Sequence, residues 1–314
     1  MNPLYHCMAC VLGSLTAVVH GACAVFPAEW FDPLAVLEAI HNEKITNLYG
    51  TPTMYIDLLN HPRLKEFDMS SLRGGLMGGA PCPVELIQAC AEHMNLTEII
   101  AAYGTTENSP VTLQTSPDDS FENRSTTVGK ILDHLERFYQ SLPRGEAGEL
   151  LIRGHCVMLG YWEDEKATRK VIQADRWYAT GDLAMMLDDD RVRMVGRSKD
   201  MVIRGGENLY PVEIEDALFG HPSVADIHII GVPDDRMGEE LCAWVRLKEG
   251  TTCTEQELKQ YAKKMLSSVK VPRYILFKKE SDFPLTPTGK VQKFKLRDIS
   301  KHELGLEQKT AKFA

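Results

Sequence analysis

The chain contains no G-x-x-x-x-G-K-[ST] run, so the P-loop way of holding a nucleoside triphosphate is excluded. No G-x-G-x-x-G follows a strand-like stretch, which removes the simple dinucleotide reading, and no G-x-S-x-G supports a Ser-His-Asp hydrolase. Positive charge is scarce. Lys and Arg number 35 against 44 Asp and Glu, a formal net charge of −9 that argues against a nucleic-acid partner. A small anion is still admissible, because a few placed cations suffice for one. The eight cysteines form a single C-x-x-C, Cys7 and Cys10, with no second pair to complete a zinc site. They are expected to be buried thiols in a reducing compartment. One long apolar run exists, "CMACVLGSLTAVVHGACAVF" at 7–26, but no Lys or Arg precedes it as in a signal peptide. His20 and the many small residues argue against a stable membrane span. A buried helix followed by a strand is the expectation. Without a secretion signal the sequons at Asn95 and Asn123 are chance matches.

What is present is ordinary globular material, 44% hydrophobic and 25% charged over 314 residues, enough for about two domains. From residue 33 helical stripes alternate with short strands: "PLAVLEAIHNEK" then "ITNLYG", "TPTMYIDLLN" then "RGGLMGG", "PVELIQACAEHM" then "TEIIAAYG". That order predicts a parallel α/β layer. Thr51 is placed to cap the second helix, with Pro52 at its first position, where a missing N–H costs nothing. The loops "GGAP" (78–81) and "YGTTE" (103–107) then fall at the carboxyl ends of strands, the edge where open parallel sheets bind ligands.

Between about 125 and 196 short strands and turns ("GELLIRG", "WYATGDLAMML", "RVRMVG") predict a small mostly-β layer or barrel. After "GRSKD" (196–200) a compact α+β domain is expected. It has a helix at "PVEIEDALFG", strands at "VADIHIIGV" and "ELCAWVRLKEG", and a helix over "TEQELKQYAKKML" with Thr254 and Glu257 as a capping box. "RYILFKK" reads as the last strand.

Five short polar loops could carry chemistry, and each has a bland reading beside the functional one. YGTTE offers backbone N–H groups, two hydroxyls and Glu107, a fitting set for a phosphate with Mg²⁺, or simply a helix cap at Thr105 or Thr106. TGD (180–182) is a turn or a ribose-hydroxyl acceptor. Arg197 in GRSKD suits hydroxyls or phosphate, or a surface ion pair. "MVIRGGENLYP" is a glycine-bearing turn, and "PLTPTGKVQK" carries Lys290 past a Pro-Thr-Gly turn.

In this order the five loops resemble the core motifs of the adenylate-forming superfamily, which holds acyl-CoA synthetases, amino-acid adenylation domains and luciferases. The resemblance runs from "PLYH" to about Arg297, and "GRSKDMVIRGGENLYPVEIEDAL", "DDRMGEELCAWVRL" and "VPRYILF" are most similar to medium-chain fatty acyl-CoA ligases. It implies the C-terminal part of a large AMP-binding domain over 1–196 and a small mobile C-terminal domain over 197–314. By resemblance Tyr103 lies against adenine, Gly104 and Thr105 line the nucleotide, Thr106 reaches the α-phosphate and Glu107 holds Mg²⁺. Gly79 and Ala80 flank the adenine, Asp182 accepts the ribose hydroxyls with Arg197 beside it, and Lys290 is the catalytic lysine. Lys199 matches a hinge about which the small domain turns, and Gly205 and Gly206 line a tunnel for CoA. His6 borders the acyl pocket. The stretch around it is aromatic and apolar rather than acidic, which favours a plain carboxylic acid over an amino acid. The implied activity is ATP-dependent adenylation of a fatty acid followed by transfer to CoA, in mitochondria or, alternatively, the cytoplasm.

Three departures from the family pattern stand out. The family's Ser/Thr/Gly-rich phosphate loop lies upstream of the "PLYH" motif at which this sequence opens, so the expectation is a fragment or a shortened, non-catalytic chain. The stretch between Gly129 and Gly148 is short, which weakens the strand expected there. The turn "LDDDRVRM" lacks the usual glycine.

Overall fold

A computed structural model describes residues 3–80, 82–139, 142–286 and 290–307. The chain folds as two compact units, Met1–Met194 and Val195–Ala314.

The first unit opens with a π-helix, Met8–Leu15, running into α1, Thr16–His20. Only Met8 of this stretch is buried, packed with Leu76 and Ala102, while Val18 and Val19 are exposed. Residues 21–32 form no strand, so the expected buried helix and strand are corrected to a largely half-buried helix and irregular chain. An apolar run shows that a segment has something to cover, not which period it will adopt.

The alternation after it appears as expected: α2 (Pro33–Glu43), β1 (Asn47–Gly50), α3 (Pro52–Leu59), β2 (Gly74–Gly78), α4 (Val84–Met94) and β3 (Glu98–Tyr103). β1, β2 and β3 pair in parallel, with Gly50 opposite Met77 and Met77 opposite Ala101. Two short strands then join antiparallel, β4 (Leu113–Gln114) and β5 (Lys130–Ile131), on either side of α5 (Phe121–Thr126) in sequence. The layer is therefore mixed rather than wholly parallel. Thr51 stands at the N-cap of α3 but makes no side-chain cap bond.

The second sheet of this unit has the order β6 (Leu135–Tyr139), β7 (Ala147–Gly154), β8 (Tyr178–Met186), β9 (Val192–Arg197), with α6 (Glu165–Val171) between β7 and β8 in sequence. The β6 strand is present despite its short surroundings. No pairing of β6 with β9 closes a barrel among the described residues, so of the two expected forms the sheet takes the open layer. Closure needs matched tilt and stagger, which strand composition does not encode. Asp190, at φ 68, takes the left-handed place in the glycine-free turn.

The second unit centres on one sheet ordered β11 (Glu207–Leu209), β10 (Val202–Arg204), β13 (Gly238–Leu247), β12 (Val224–Asp234), with β14 (Tyr274–Phe277) parallel to β13. Side chains alternate faces along a strand. Leu241, Ala243 and Val245 of β13 accordingly pack with α7 (Pro211–Phe219) and α8 (Glu255–Met265). Cys242 and Trp244 pack instead with α9 (Lys293–Glu303) through Leu296. The capping box of Thr254 and Glu257 is formed. All eight cysteines are free, yet only Cys90 and Cys242 are buried, which corrects the expectation of buried thiols throughout. Burial pushes both of those thiols up to about 12.

Candidate functional site

The ends of β2 and β3 carry the two glycine loops. Gly79 and Ala80 are exposed directly after β2; Pro81 of the same loop lies outside the described residues. Met8 packs against Gly78, which fixes the start of the N-terminal helix over these strand ends. The same anchoring brings half-buried Cys7 to the second loop, where its thiol donates to Thr106 Oγ1 at 3.7 Å, while half-buried His6 accepts from Met8 N–H at 3.2 Å.

YGTTE is not a capped helix start. Thr105 sits at the N-cap of one 3₁₀ turn, Thr106–Asn108, with no side-chain cap bond. Shape is imposed on it from behind. A Cβ on Gly104 would lie 1.8 Å from the Pro110 carbonyl oxygen, so only glycine fits this close backbone approach. Thr112 N–H donates to the Tyr103 carbonyl at 2.9 Å. Buried and without a hydrogen-bond partner among the described residues are Thr105 Oγ1, Thr112 Oγ1 and both amide atoms of Asn108.

The TGD stretch is neither a turn nor regular strand. The β7–β8 register shifts between Glu149 and Leu151, and the extra chain is accommodated at 180–182. Thr180 Oγ1 donates to the Leu150 carbonyl at 2.7 Å and accepts from Asp182 N–H at 3.1 Å, while Gly181 N–H donates to Glu149 Oε1 at 3.0 Å. Such a bulge re-aims a side chain out of the pleat. Here it carries the Asp182 carboxylate to Tyr103, whose hydroxyl donates to Oδ2 at 2.7 Å. Burial and the Asp182 charge raise the Tyr103 phenol far above its ordinary value, so it stays a proton donor. Two residues 79 positions apart, expected to meet adenine and ribose, are thus in direct contact.

Two contacts here escaped the sequence. Tyr161 donates its hydroxyl to Glu107 Oε1 at 2.7 Å, and Glu149 supports the bulge. No motif spacing announces either one, because both depend on how distant loops meet.

The remaining predicted residues lie past the boundary at Met194, which falls within β9. Arg197 ends β9 and Lys199 sits in the 3₁₀ turn Ser198–Asp200, both exposed. Gly205 and Gly206 form the turn of the β10–β11 hairpin, with Gly205 N–H donating to the Met237 carbonyl at 2.8 Å. Arg204 beside them is held by Glu240 through a two-point ion pair of 2.7 and 3.0 Å. Residues 287–289 before Lys290 lie outside the described residues. Lys290 N–H donates to Thr286 Oγ1 at 3.0 Å and its carbonyl accepts from Thr286 N–H at 2.8 Å, so two hydrogen bonds join Thr286 and Lys290. Lys293, which opens α9, is tied to the buried Glu215 at 2.6 Å.

No group of three or more His, Cys, Asp or Glu that could cage a metal occurs among the described residues. A single carboxylate, Glu107, beside backbone and hydroxyl donors matches instead the donor set of Mg²⁺, which keeps several waters and is shared with substrate phosphates. The residues present therefore fit that ion.

Family models match on both units, the AMP-binding enzyme model over residues 1–162 and the AMP-binding enzyme C-terminal domain over 213–290. The chain belongs to the AMP-binding enzyme family. It is 49% identical over 310 residues to the mitochondrial medium-chain acyl-CoA ligase ACSF2 of Danio rerio, covering 97% of this chain and 51% of that protein. The Homo sapiens ACSF2 is 45% identical, with 97% and 50% covered, and the putative acyl-CoA synthetase YngI of Bacillus subtilis (strain 168) is 48% identical, with 94% and 54% covered. The chain thus spans about half the length of these curated relatives. Among solved structures, ATP-bound MatB from Rhodopseudomonas palustris superposes with a TM-score of 0.85 at 30% identity, over 95% of this chain and 59% of that one. The anthranilate CoA ligase AuaEII with anthranoyl-AMP gives 0.83 at 31% identity, over 90% and 55%. The fold is that of the adenylate-forming enzymes. No helix among the described residues is long and apolar enough to cross a membrane.

Proposed function

We propose that this chain carries the adenylate-binding and lysine-bearing portion of a mitochondrial fatty acyl-CoA ligase, acting on medium-chain acids. Such an enzyme joins a fatty acid to AMP at the expense of ATP, releases pyrophosphate, and passes the acyl group to CoA. The observation that carries the reading is the contact between Tyr103 and Asp182, which sets the YGTTE loop and the TGD bulge around one point.

In this reading the Asp182 carboxylate accepts from the ribose hydroxyls and the Tyr103 ring lies along the adenine, with Gly79 and Ala80 flanking it and Arg197 near the sugar. Gly104 and Thr105 lend backbone to the nucleotide, Thr106 donates to the α-phosphate, and His6 borders the acyl chain. Glu107 would hold Mg²⁺, which when bound offsets phosphate charge. Lys290 addresses the central difficulty, a carboxylate approaching a phosphate. Two unit charges 4 Å apart repel by about 1 kcal/mol in water and about 4 kcal/mol at an effective dielectric of 20. A cation touching both anions removes that barrier where it arises. Lys199 serves as the hinge for presenting the second face of the small domain, and the Gly205–Gly206 turn lets the pantetheine arm of CoA pass close to backbone.

The test is a calorimetric titration of the full chain with a non-hydrolysable fatty acyl-adenylate analogue, repeated with Asp182→Ala. Loss of a charge-assisted acceptor for two hydroxyls should weaken binding by roughly 10-fold to 100-fold. Equal affinity in both proteins would refute the assignment of the ribose site.

A further inference from the structure

We propose that Tyr161 is a positioning residue that presents Glu107 to a divalent cation, gripping one carboxylate oxygen and leaving the other to the metal. The proposal rests on the reading of Glu107 as the metal-holding carboxylate. Tyr161 is exposed, yet its hydroxyl reaches Glu107 Oε1 at 2.7 Å across 54 positions of sequence. Oε2 has no partner among the described residues. A carboxylate on a loop can turn about its side-chain bonds, and a hydrogen bond to one oxygen selects one orientation from that set.

The tyrosine is itself fixed at both ends. Its backbone N–H donates to Thr168 Oγ1 at 2.8 Å, and that hydroxyl donates to the Asp164 carbonyl at 2.9 Å at the start of α6. Met158 N–H donates to the Glu107 carbonyl at 2.8 Å, so the same short segment holds both the main chain and the side chain of Glu107. The choice of a phenol also matters. Lys or Arg in this place would orient the carboxylate but cancel the charge that attracts a cation, whereas a neutral hydroxyl orients it and leaves the charge in place.

Groups that orient a metal-binding side chain typically change metal affinity by about 10-fold to 100-fold when removed. The experiment titrates Mn²⁺ with ATP against the full chain, reading bound metal by water-proton relaxation, in the unmodified protein, Tyr161→Phe and Glu107→Gln. Metal-free AMP binding is measured alongside. Expected for Tyr161→Phe is a loss of Mn²⁺ affinity of about 10-fold or more, with metal-free AMP binding unchanged. Unchanged Mn²⁺ affinity in Tyr161→Phe, with a loss in Glu107→Gln, would overturn the role of Tyr161 alone. Unchanged affinity in both would overturn the metal reading of Glu107 and this proposal with it. Should Tyr161→Phe fold poorly, Thr168→Val, which cuts the tyrosine's backbone anchor, is expected to lower Mn²⁺ affinity in the same direction by less; no change there counts against the proposal.

Discussion

Two glycine turns, one in each unit, are shaped by opposite means. The 104–112 loop is held by exclusion: Gly104 is wedged against the Pro110 carbonyl, and several buried polar atoms behind it have no partner among the described residues. The 202–209 hairpin is held by attraction. Arg204 grips Glu240 at two points, Ile203 N–H donates to Glu239 at 2.8 Å, and Gly205 is bonded to Met237. The first arrangement tolerates no added atom but has polar groups to spare. The second has room for an atom at Gly206 and depends on its charges. Buried polar groups without partners are found where structure is maintained for something other than stability.

That contrast breaks most sharply at the glycines. Gly104→Ala should destabilise the first unit by about 4 kcal/mol or more, because the clash is with backbone that cannot step aside. Gly206→Ala meets open space and only the strain of its φ of 86°, a loss of about 1–2 kcal/mol. Denaturant unfolding of the two variants would reverse the account if Gly206→Ala were the worse. Next in size is Glu240→Ala. Glu240 is 3% exposed and Arg204 19%, so the substitution strands a largely buried guanidinium at a loss of about 3 kcal/mol. A loss below about 1 kcal/mol would place this pair with ordinary surface bridges. Smallest is Thr112→Val, which trades an unpartnered buried hydroxyl for a methyl of the same shape. It should stabilise by about 1 kcal/mol, since no hydrogen bond is lost and a desolvated polar atom is removed. A loss of stability instead would show that the loop's polar groups are satisfied after all.

How much of this the sequence disclosed follows from the reach of each force. Helix and strand periods, the Pro52 helix start and the Thr254 box are local, and they read correctly from neighbours three or four positions apart. The 7–26 run misled because its many small apolar residues fit either period, and what they pack against is not written in the run. The choice between layer and barrel stayed open because strand composition does not set closure. Asp182 was singled out from its company of motifs, yet its environment rests on a bulge opposite Glu149, a feature of pairing register rather than of any local signal. Tyr161 carries no local signal either, because its contact with Glu107 depends on two distant loops meeting.

The proposed function gives this chain parts of an adenylating enzyme and assigns Lys290 as the reacting cation. The most direct measurement is fatty-acid-dependent exchange of labelled pyrophosphate into ATP by the full chain and by Lys290→Ala. Exchange that falls by about 10²–10³ in the variant is the predicted result, as for loss of one well-placed electrostatic group. Exchange that persists unchanged in Lys290→Ala, or its absence from a chain that is folded and binds the acyl-adenylate analogue, would contradict the claim.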